Sequence, residues 1–246
     1  MFARSLAKTL PKILLLAALT STAAHAAIIL EYQTASSTSN PTLSPSVVDA
    51  AISGDALAAG SGLTAVNGST WTWRDWGTGF GGGHSSATSF AEAVSENDFW
   101  TWGFDVTGAV EIALTTLDIR LDRSGTGPNQ FEIQASVNGG AATSVLTGNF
   151  GDTSLGLDFV AVDLSGIGAV SQGDSVVFTM AAFGEDSGGA SNVGTFDLET
   201  LGFGSDPRAL RLNANVVPIA PALPEPSIIA LLGLGLLGLA RCRPLR

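Results

Sequence analysis

Hydrophobic and polar residues alternate along much of this chain, and the clearest example is the segment 130–137. Phe131, Ile133, Ala135 and Val137 fall on one side of an extended chain, while polar residues separate them on the other side. A period of two predicts a half-buried β-strand, because successive side chains of a strand point to opposite faces.

Further segments carry a strand signal of different strength. Ser175–Phe183 is nearly all apolar and rich in β-branched residues, which predicts a central strand. In Asp158–Leu164 we expect Val160, Val162 and Leu164 to share one face. The other clear candidates are Phe99–Val106, Ile112–Leu121 and Leu210–Val217. The weaker candidates are Ile28–Gln33, Thr70–Trp76, Ala142–Gly148 and Thr195–Leu201.

Turn signals separate these strands. The strongest is Asn138-Gly139, because both residues tolerate the positive φ that a two-residue hairpin turn requires. The others are Ser124–Pro128, Gln172–Asp174 and Ser187–Gly189.

Many strands joined by glycine-rich turns predict an all-β fold, and we expect an antiparallel β-sandwich of jelly-roll type over residues 27–215. One short helix is predicted at Ser46–Ala59, with Ser46 as its N-cap. The small, polar segment Ser85–Glu96 is expected to form either a loop or a second short helix.

Residues 1–26 have the pattern of a secretory signal peptide. Positively charged residues precede a short apolar run, Ile13–Leu19. Ala24 and Ala26 form an A-x-A motif, so we expect cleavage before Ala27. The apolar run is too short for a transmembrane helix, which needs about 20 residues.

The C-terminal part of the chain divides into two segments. Residues 216–222 form a proline-rich linker, and residues 223–246 form a tail with a short apolar helix at 228–240. Three arginines follow that helix, and the positive-inside rule assigns such a basic segment to the cytoplasmic side of the membrane. They are Arg241, Arg243 and Arg246.

The tail resembles the PEP-CTERM sorting signal. The resemblance rests on Pro224-Glu225-Pro226, on the glycine-interrupted apolar helix and on the closing arginines, in that order. It implies recognition by an exosortase, a membrane enzyme of Gram-negative bacteria that produce extracellular polysaccharide. It further implies a precursor anchored transiently in the inner membrane, whose body is then released to the cell surface or the extracellular matrix.

Net charge restricts the partners of the body. The whole chain carries a formal charge of -11, and loss of both predicted processing segments takes the body to about -16. The body retains five arginines and no lysine. Such a surface repels nucleic acid and anionic membranes, so we expect neither as a lasting partner.

Cysteine and histidine are too scarce for a zinc site. The single cysteine, Cys242, lies in the tail, and His84 is the only histidine of the body. We expect no cofactor, although calcium could bind to acidic residues in loops, because calcium prefers oxygen ligands. The candidates are Asp152, Glu185, Asp186 and Asp206.

All five tryptophans fall between Trp71 and Trp102. Trp71, Trp73 and Trp76 could form an exposed platform on which sugar rings stack, or they could fill the core, since large aromatic side chains dominate core burial. The exposed platform is a hypothesis because the flanking residues, Arg74, Asp75 and the glycine-rich segment 77–83, are typical of an exposed loop.

These features predict a non-catalytic surface or matrix protein of an exopolysaccharide-producing bacterium. The alternative is a carbohydrate-binding module that uses the three tryptophans, with structural calcium. A glycosidase built on two carboxylates is a third hypothesis, although the sequence contains no motif of a serine hydrolase, zinc protease or nucleotide-binding enzyme. Arg123 could bind a carboxylate, but at the start of a turn it is better suited to holding that turn.

Overall fold

A computed structural model of the protein describes residues 25–34, 41–66, 71–76, 87–151, 156–184, 194–201 and 207–220. The first eight strands are β1 (His25–Gln33), β2 (Thr42–Leu43), β3 (Val47–Val48), β4 (Ile52–Gly54), β5 (Leu57–Ala59), β6 (Thr64–Ala65), β7 (Trp71–Arg74) and β8 (Trp100–Val106). The next eight are β9 (Val110–Arg123), β10 (Gln130–Val137), β11 (Thr143–Asn149), β12 (Leu157–Asp163), β13 (Ala169–Ser171), β14 (Ser175–Phe183), β15 (Phe196–Leu198) and β16 (Arg208–Pro218). Helix in the described chain is limited to α1 (Phe90–Ser95) and a 3-10 turn, Ser165–Ile167.

The strands form two antiparallel sheets, as the sequence predicted. The larger sheet has the order β3-β1-β16-β9-β15-β7-β6, and β12 and β13 also pair with β9. The smaller sheet has the order β11-β10-β14-β8-β5-β2, and β4 also pairs with β8. Each prediction of a clear strand corresponds to one of these elements, and β14 lies between β10 and β8 as a central strand.

The long strand β9 organises the larger sheet. Along one edge it pairs first with β16, through residues 110–119, and then with β15, through residues 121–123. Its other edge pairs with β13 and β12. Strands on both sides therefore fix almost the full length of β9.

The inward faces of the two sheets share one hydrophobic core. Ile119 and Leu212 of the larger sheet and Ile133 and Phe178 of the smaller sheet are fully buried in it. Burial of each such side chain contributes about 1.5–3 kcal/mol to folding. The alternation in β10 is confirmed, because its apolar positions 131, 133 and 135 are buried while its polar positions are partly exposed.

The hairpin turn between β10 and β11 is also confirmed. Asn138 has a φ of 52° and Gly139 a φ of 67°, and the Gly140 N–H donates to the Val137 carbonyl at 2.9 Å. Two successive positive φ values give the turn that matches the twist of antiparallel strands.

The predicted helix at Ser46–Ala59 is wrong. This segment contains the short strands β3, β4 and β5, which pair with β1 and β8. Val47, Val48 and Ile52 are β-branched, and β-branched residues favour extended backbone. Unpaired edges of two long strands give the backbone of this segment hydrogen-bond partners that outweigh its weak helical pattern. The other candidate segment does contain a helix, α1, which Ser89 caps by accepting the Glu92 N–H at 3.3 Å.

One face assignment is also wrong. Val160 is 64% exposed, whereas Leu164 is buried. The register of β12 against β9 shifts between Phe159 and Val162, and Ala161 has a φ of 56° while its N–H donates to the Asp118 carboxylate at 2.8 Å. A bulge of this kind turns one side chain out of the alternation.

The segment boundaries are only partly described. β1 begins at His25, two residues before the predicted cleavage point at Ala27, so it includes the last two residues of the predicted signal peptide, whereas Ala24 and the residues before it lie outside the described residues. β16 continues to Pro218, so its last three residues belong to the sheet and not to the predicted linker at 216–222. No helix in the described part of the chain is long and apolar enough to cross a membrane, and the predicted helix 228–240 lies outside that part.

Candidate functional site

The C-terminal tail leaves the fold from a defined end of the sandwich. β16 ends opposite the first residue of β9, and the Ile219 N–H donates to the Ala109 carbonyl at 2.9 Å. We call this the tail end, and it also contains three turns that join strands. These turns are Thr107–Ala109, Asn138–Ala142 and Gln172–Asp174.

Hydrogen bonds connect the turns of the tail end to one another. The Asn138 side-chain amide donates to the Asp174 carboxylate at 2.7 Å, and the Gln172 side-chain amide donates to the Thr107 carbonyl at 3.2 Å. Asp174 also accepts the Ser171 N–H at 2.7 Å, and these bonds lower the pKa of its carboxyl group. The turns therefore form one connected surface around the point where the tail leaves.

The tail follows a strand that is held on both sides. β16 pairs with β1 along one edge and with β9 along the other. Within it, Val216 is 4% exposed and pairs with Ile112. The last described residue, Ala220, follows this strand closely, so every described strand precedes the sorting tripeptide at Pro224, Glu225 and Pro226. The sorting residues themselves, including Arg241, Arg243 and Arg246, lie outside the described residues.

The tryptophans of the predicted sugar platform are buried. Trp71, Trp73 and Trp76 are only 2–3% exposed. The rings of Trp71 and Trp73 lie 5.2 Å apart, and the Trp71 ring lies 4.9 Å from Trp100. Trp76 packs edge-on against Phe196 at 5.6 Å. The prediction of an exposed platform is therefore wrong. These rings fill the core, which was the other arrangement that the sequence allowed.

The burial of these rings follows from the position of β7. This strand pairs with both β6 and β15, and three of its four residues are buried. Trp71 and Trp73 share the core face, whereas Thr72 points to the opposite face. The Trp76 indole N–H donates to the Trp73 carbonyl at 3.1 Å, which holds the chain close after the strand. The rings therefore have no face on which a sugar could stack.

Arg123 holds a turn, as the structural interpretation of the sequence predicted. The side chain is 2% exposed and donates to the carbonyls of Ser124, Gly125 and Gly151 at 3.0, 3.0 and 2.7 Å. Its guanidinium thus joins the turn after β9 to the chain that follows β11. A group committed to three carbonyls is not available for a ligand carboxylate.

A second buried arginine forms ion pairs with two carboxylates on the outer face of the larger sheet. Arg120 is 1% exposed, and its guanidinium lies 3.2 Å from the Asp158 carboxylate and 3.1 Å from the Glu199 carboxylate. Gly156 packs against it so closely that a Cβ at that position would come within 2.5 Å of the guanidinium. Sequence analysis did not single out this group.

Next to this arginine, two aspartates face each other across strands. Asp197 of β15 pairs directly with Asp122 of β9, so both side chains lie on the same face. Burial raises the pKa of Asp197 to about 7, and the nearby charge of Asp122 adds to that effect. Burial also raises the pKa of Asp122, with a further contribution from Glu199. The group can therefore hold a proton near neutral pH, which is its distinctive chemistry.

The described carboxylates do not make a metal centre. Among the residues that the structure describes, no group of three or more His, Cys, Asp or Glu side chains could hold a metal ion. The predicted calcium candidates Asp152, Glu185, Asp186 and Asp206 lie outside those residues, as does His84.

Sequence reasoning could have found half of the Asp122–Asp197 pair. Polar residues recur at every second position in β9, at 118, 120 and 122, which marks a polar face. The pairing register of β15 was the missing information, because nothing local to Asp197 specifies its partner.

Comparison with known protein families identifies the C-terminal segment of the chain. No curated protein matches the chain. Residues 222–243 match the family model of the PEP-CTERM protein-sorting motif, the C-terminal sorting signal of exosortase substrates.

Proposed function

We propose that this chain is the precursor of an exported protein whose tail an exosortase removes, and whose body then acts without catalysis at the cell surface or in the extracellular matrix. The observation that carries the proposal is the match of residues 222–243 to the sorting motif. The signal-peptide pattern of residues 1–26 supports export. The precursor would be anchored in the inner membrane by the apolar segment 228–240 until it is processed.

The architecture of the body is compatible with this processing. Every described strand ends by Pro218, so cleavage at or after Pro224 would remove no described β-structure. We assign the sandwich to the jelly-roll type as part of the same proposal. An acidic, disulfide-free body of this kind would remain soluble among extracellular polysaccharides by charge repulsion between its copies.

Intact mass of the protein from medium and cell fractions tests the processing. In a host with its exosortase we expect a species that begins at Ala27 and ends near Pro224–Ser227. In the same host without the exosortase we expect the tail to remain and the protein to stay with the membrane. Retention of Cys242 and Arg246 in the normal host would overturn the proposal.

The matrix role needs a separate experiment. The processed body, added to exopolysaccharide purified from the host, is expected to sediment with it. If the body stays in the supernatant with every polysaccharide of the host and remains monomeric, the matrix role is wrong while exosortase processing can still stand.

A further inference from the structure

Both segments that are predicted to contact the membrane leave the fold at the tail end. The first residues of β1 pair with the last residues of β16, with His25 opposite Val216 and Ala27 opposite Ala214. Neighbouring strands lie about 4.8 Å apart. The signal peptide, which is predicted to end at Ala26 within β1, and the sorting tail after β16 therefore leave the fold at adjacent points.

The chain between the fold and the sorting tripeptide is short. Ile219 is the last residue with a backbone hydrogen bond to the described fold, through the Ala109 carbonyl. Five residues, 220–224, separate it from Glu225, and the six Cα–Cα steps between the two residues span about 20 Å in a fully extended chain. The apolar segment begins at Ile228, about 30 Å from Ile219 at full extension.

The fold cannot easily supply more chain. Release of the residues before Ile219 would break the pairing of Val216 with Ile112 and expose the Val216 side chain. It would also remove Pro218 from its place opposite Val110. The reach of the tail is therefore set by residues 220–224 and not by fraying of β16.

The tail end carries acidic residues beside its turns, with Glu111 exposed opposite Val217 and Asp174 partly exposed. Its exposed turn positions are small or neutral, and they include Gly139, Ala141 and Gln172. The described arginines pair or lie towards the other end, since Arg211, the nearest along the sheet, stands opposite Asp118 in β9. A membrane enzyme acting on the tail would meet this surface first.

We propose that the tail end of the sandwich faces the exosortase. We further propose that the length of the chain between Ile219 and the Pro-Glu-Pro tripeptide limits how far the tripeptide can extend from the body into the enzyme. This inference rests on the proposed function. We call the tail end together with residues 220–224 the steric gauge. It sets the distance between the body and the tripeptide, so that a membrane-embedded active site can enclose the tripeptide.

A length series tests the gauge. Deletion of residues 220–222 removes about 10 Å of reach, and we expect tail removal to slow at least tenfold in pulse-chase experiments with intact-mass readout. A second variant replaces the deleted residues with Gly-Ser-Gly, and it should restore the normal rate because length and not sequence matters. Both variants should keep the urea midpoint of the parent, since the deleted residues follow the last described strand.

An insertion pair tests which end faces the enzyme. A small folded domain inserted between Gly140 and Ala141 occupies the tail end, whereas the same domain between Gly125 and Thr126 lies in the exposed turn from β9 to β10, at the opposite end of the sandwich. We expect slow tail removal for the first variant and a normal rate for the second. Circular dichroism of both variants verifies that the sandwich has folded.

The outcomes separate the two proposals. If the parent chain keeps its tail in a host with an active exosortase, the proposed function itself is wrong. If the parent is processed and the three-residue deletion is processed equally fast, the gauge is wrong and the proposed function stands. Equal rates for the two insertion variants would overturn the orientation.

Discussion

A single buried arginine shows how side chains and backbone cooperate in the turn region of this sandwich. Arg123 is 2% exposed and donates to three carbonyls, on Ser124, Gly125 and Gly151. The buried guanidinium needs these acceptors, because an unpaired buried polar group costs about 1–3 kcal/mol. The residue therefore replaces the regular hydrogen bonds that a turn leaves unmade.

Substitution of Arg123→Ala should lower the free energy of unfolding by about 2–4 kcal/mol, since hydrogen bonds to charged groups contribute about 1.5–3 kcal/mol. The matched control is Arg74→Ala. Arg74 is 46% exposed and lies 3.8 Å from Asp75, so we expect a loss of about 0–1 kcal/mol. Urea denaturation of both variants measures the difference, and equal midpoints would contradict the structural role of Arg123.

A glycine pair gives a second test at the same scale. Gly139 has a φ of 67°, and a left-handed conformation costs an ordinary residue about 1–2 kcal/mol. Gly125 has no atom within 4 Å of a Cβ and no positive φ. We expect Gly139→Ala to destabilise by about 1 kcal/mol and Gly125→Ala to be neutral, as measured by thermal unfolding. A neutral Gly139→Ala would mean that the hairpin turn has another conformation.

Prediction from the sequence worked best where an element was long and its pattern unambiguous. The alternation in β10 and the apolar run of β14 each specify a strand without any knowledge of its neighbours. β3, β4 and β5 were missed because each has only two or three residues and depends on an edge elsewhere in the chain. The tryptophans were ambiguous for a similar reason, since their burial depends on contacts with Trp100 and Phe196, which belong to other strands.

The pairing of β15 with β9 makes stability depend on pH. Asp197 stands opposite Asp122, with Glu199 and Arg120 beside them and Asp158 on the far side of the arginine. Its pKa is raised to about 7 from an ordinary 3.8, so the folded state binds more protons than the unfolded state between those values. Stability from this group is therefore complete below about pH 4 and declines as pH rises towards and past 7.

Replacement of Asp197→Asn should flatten this decline. We expect the parent to lose on the order of 4 kcal/mol or less between pH 4.5 and pH 8 from this group, and the variant to be the more stable of the two at pH 8. Glu111→Gln removes the same charge at an exposed position and should keep the decline of the parent. Urea midpoints across this pH range decide the matter, and identical pH profiles for the parent and Asp197→Asn would show that Asp197 does not retain its proton.

At the scale of the whole molecule, the boundary between body and tail decides what survives processing. The sequence placed the end of the domain at residue 215, whereas β16 continues through Pro218 and the Ile219 N–H bonds to Ala109. The composition of residues 216–222 suggested a linker because proline is frequent there, but a proline at the last position of a strand needs to donate no ladder hydrogen bond. The tail thus begins after the sheet is complete.

A chain that covers residues 27–220 should therefore be as stable as one that covers 27–223. A chain that ends at Asn215 loses the buried side chain of Val216, which contributes about 1.5–3 kcal/mol, and the hydrogen bonds beyond it, each of about 0.5–1.5 kcal/mol. We expect it to be less stable by about 2–5 kcal/mol in urea denaturation, with the three chains compared at one pH. If the chain that ends at Asn215 is as stable as the longest one, the last residues of β16 contribute nothing and the fold ends where the sequence suggested. If instead the chain that ends at Ala220 is already weakened, residues 221–223 contribute to the body, and cleavage close to the fold would destabilise the exported protein.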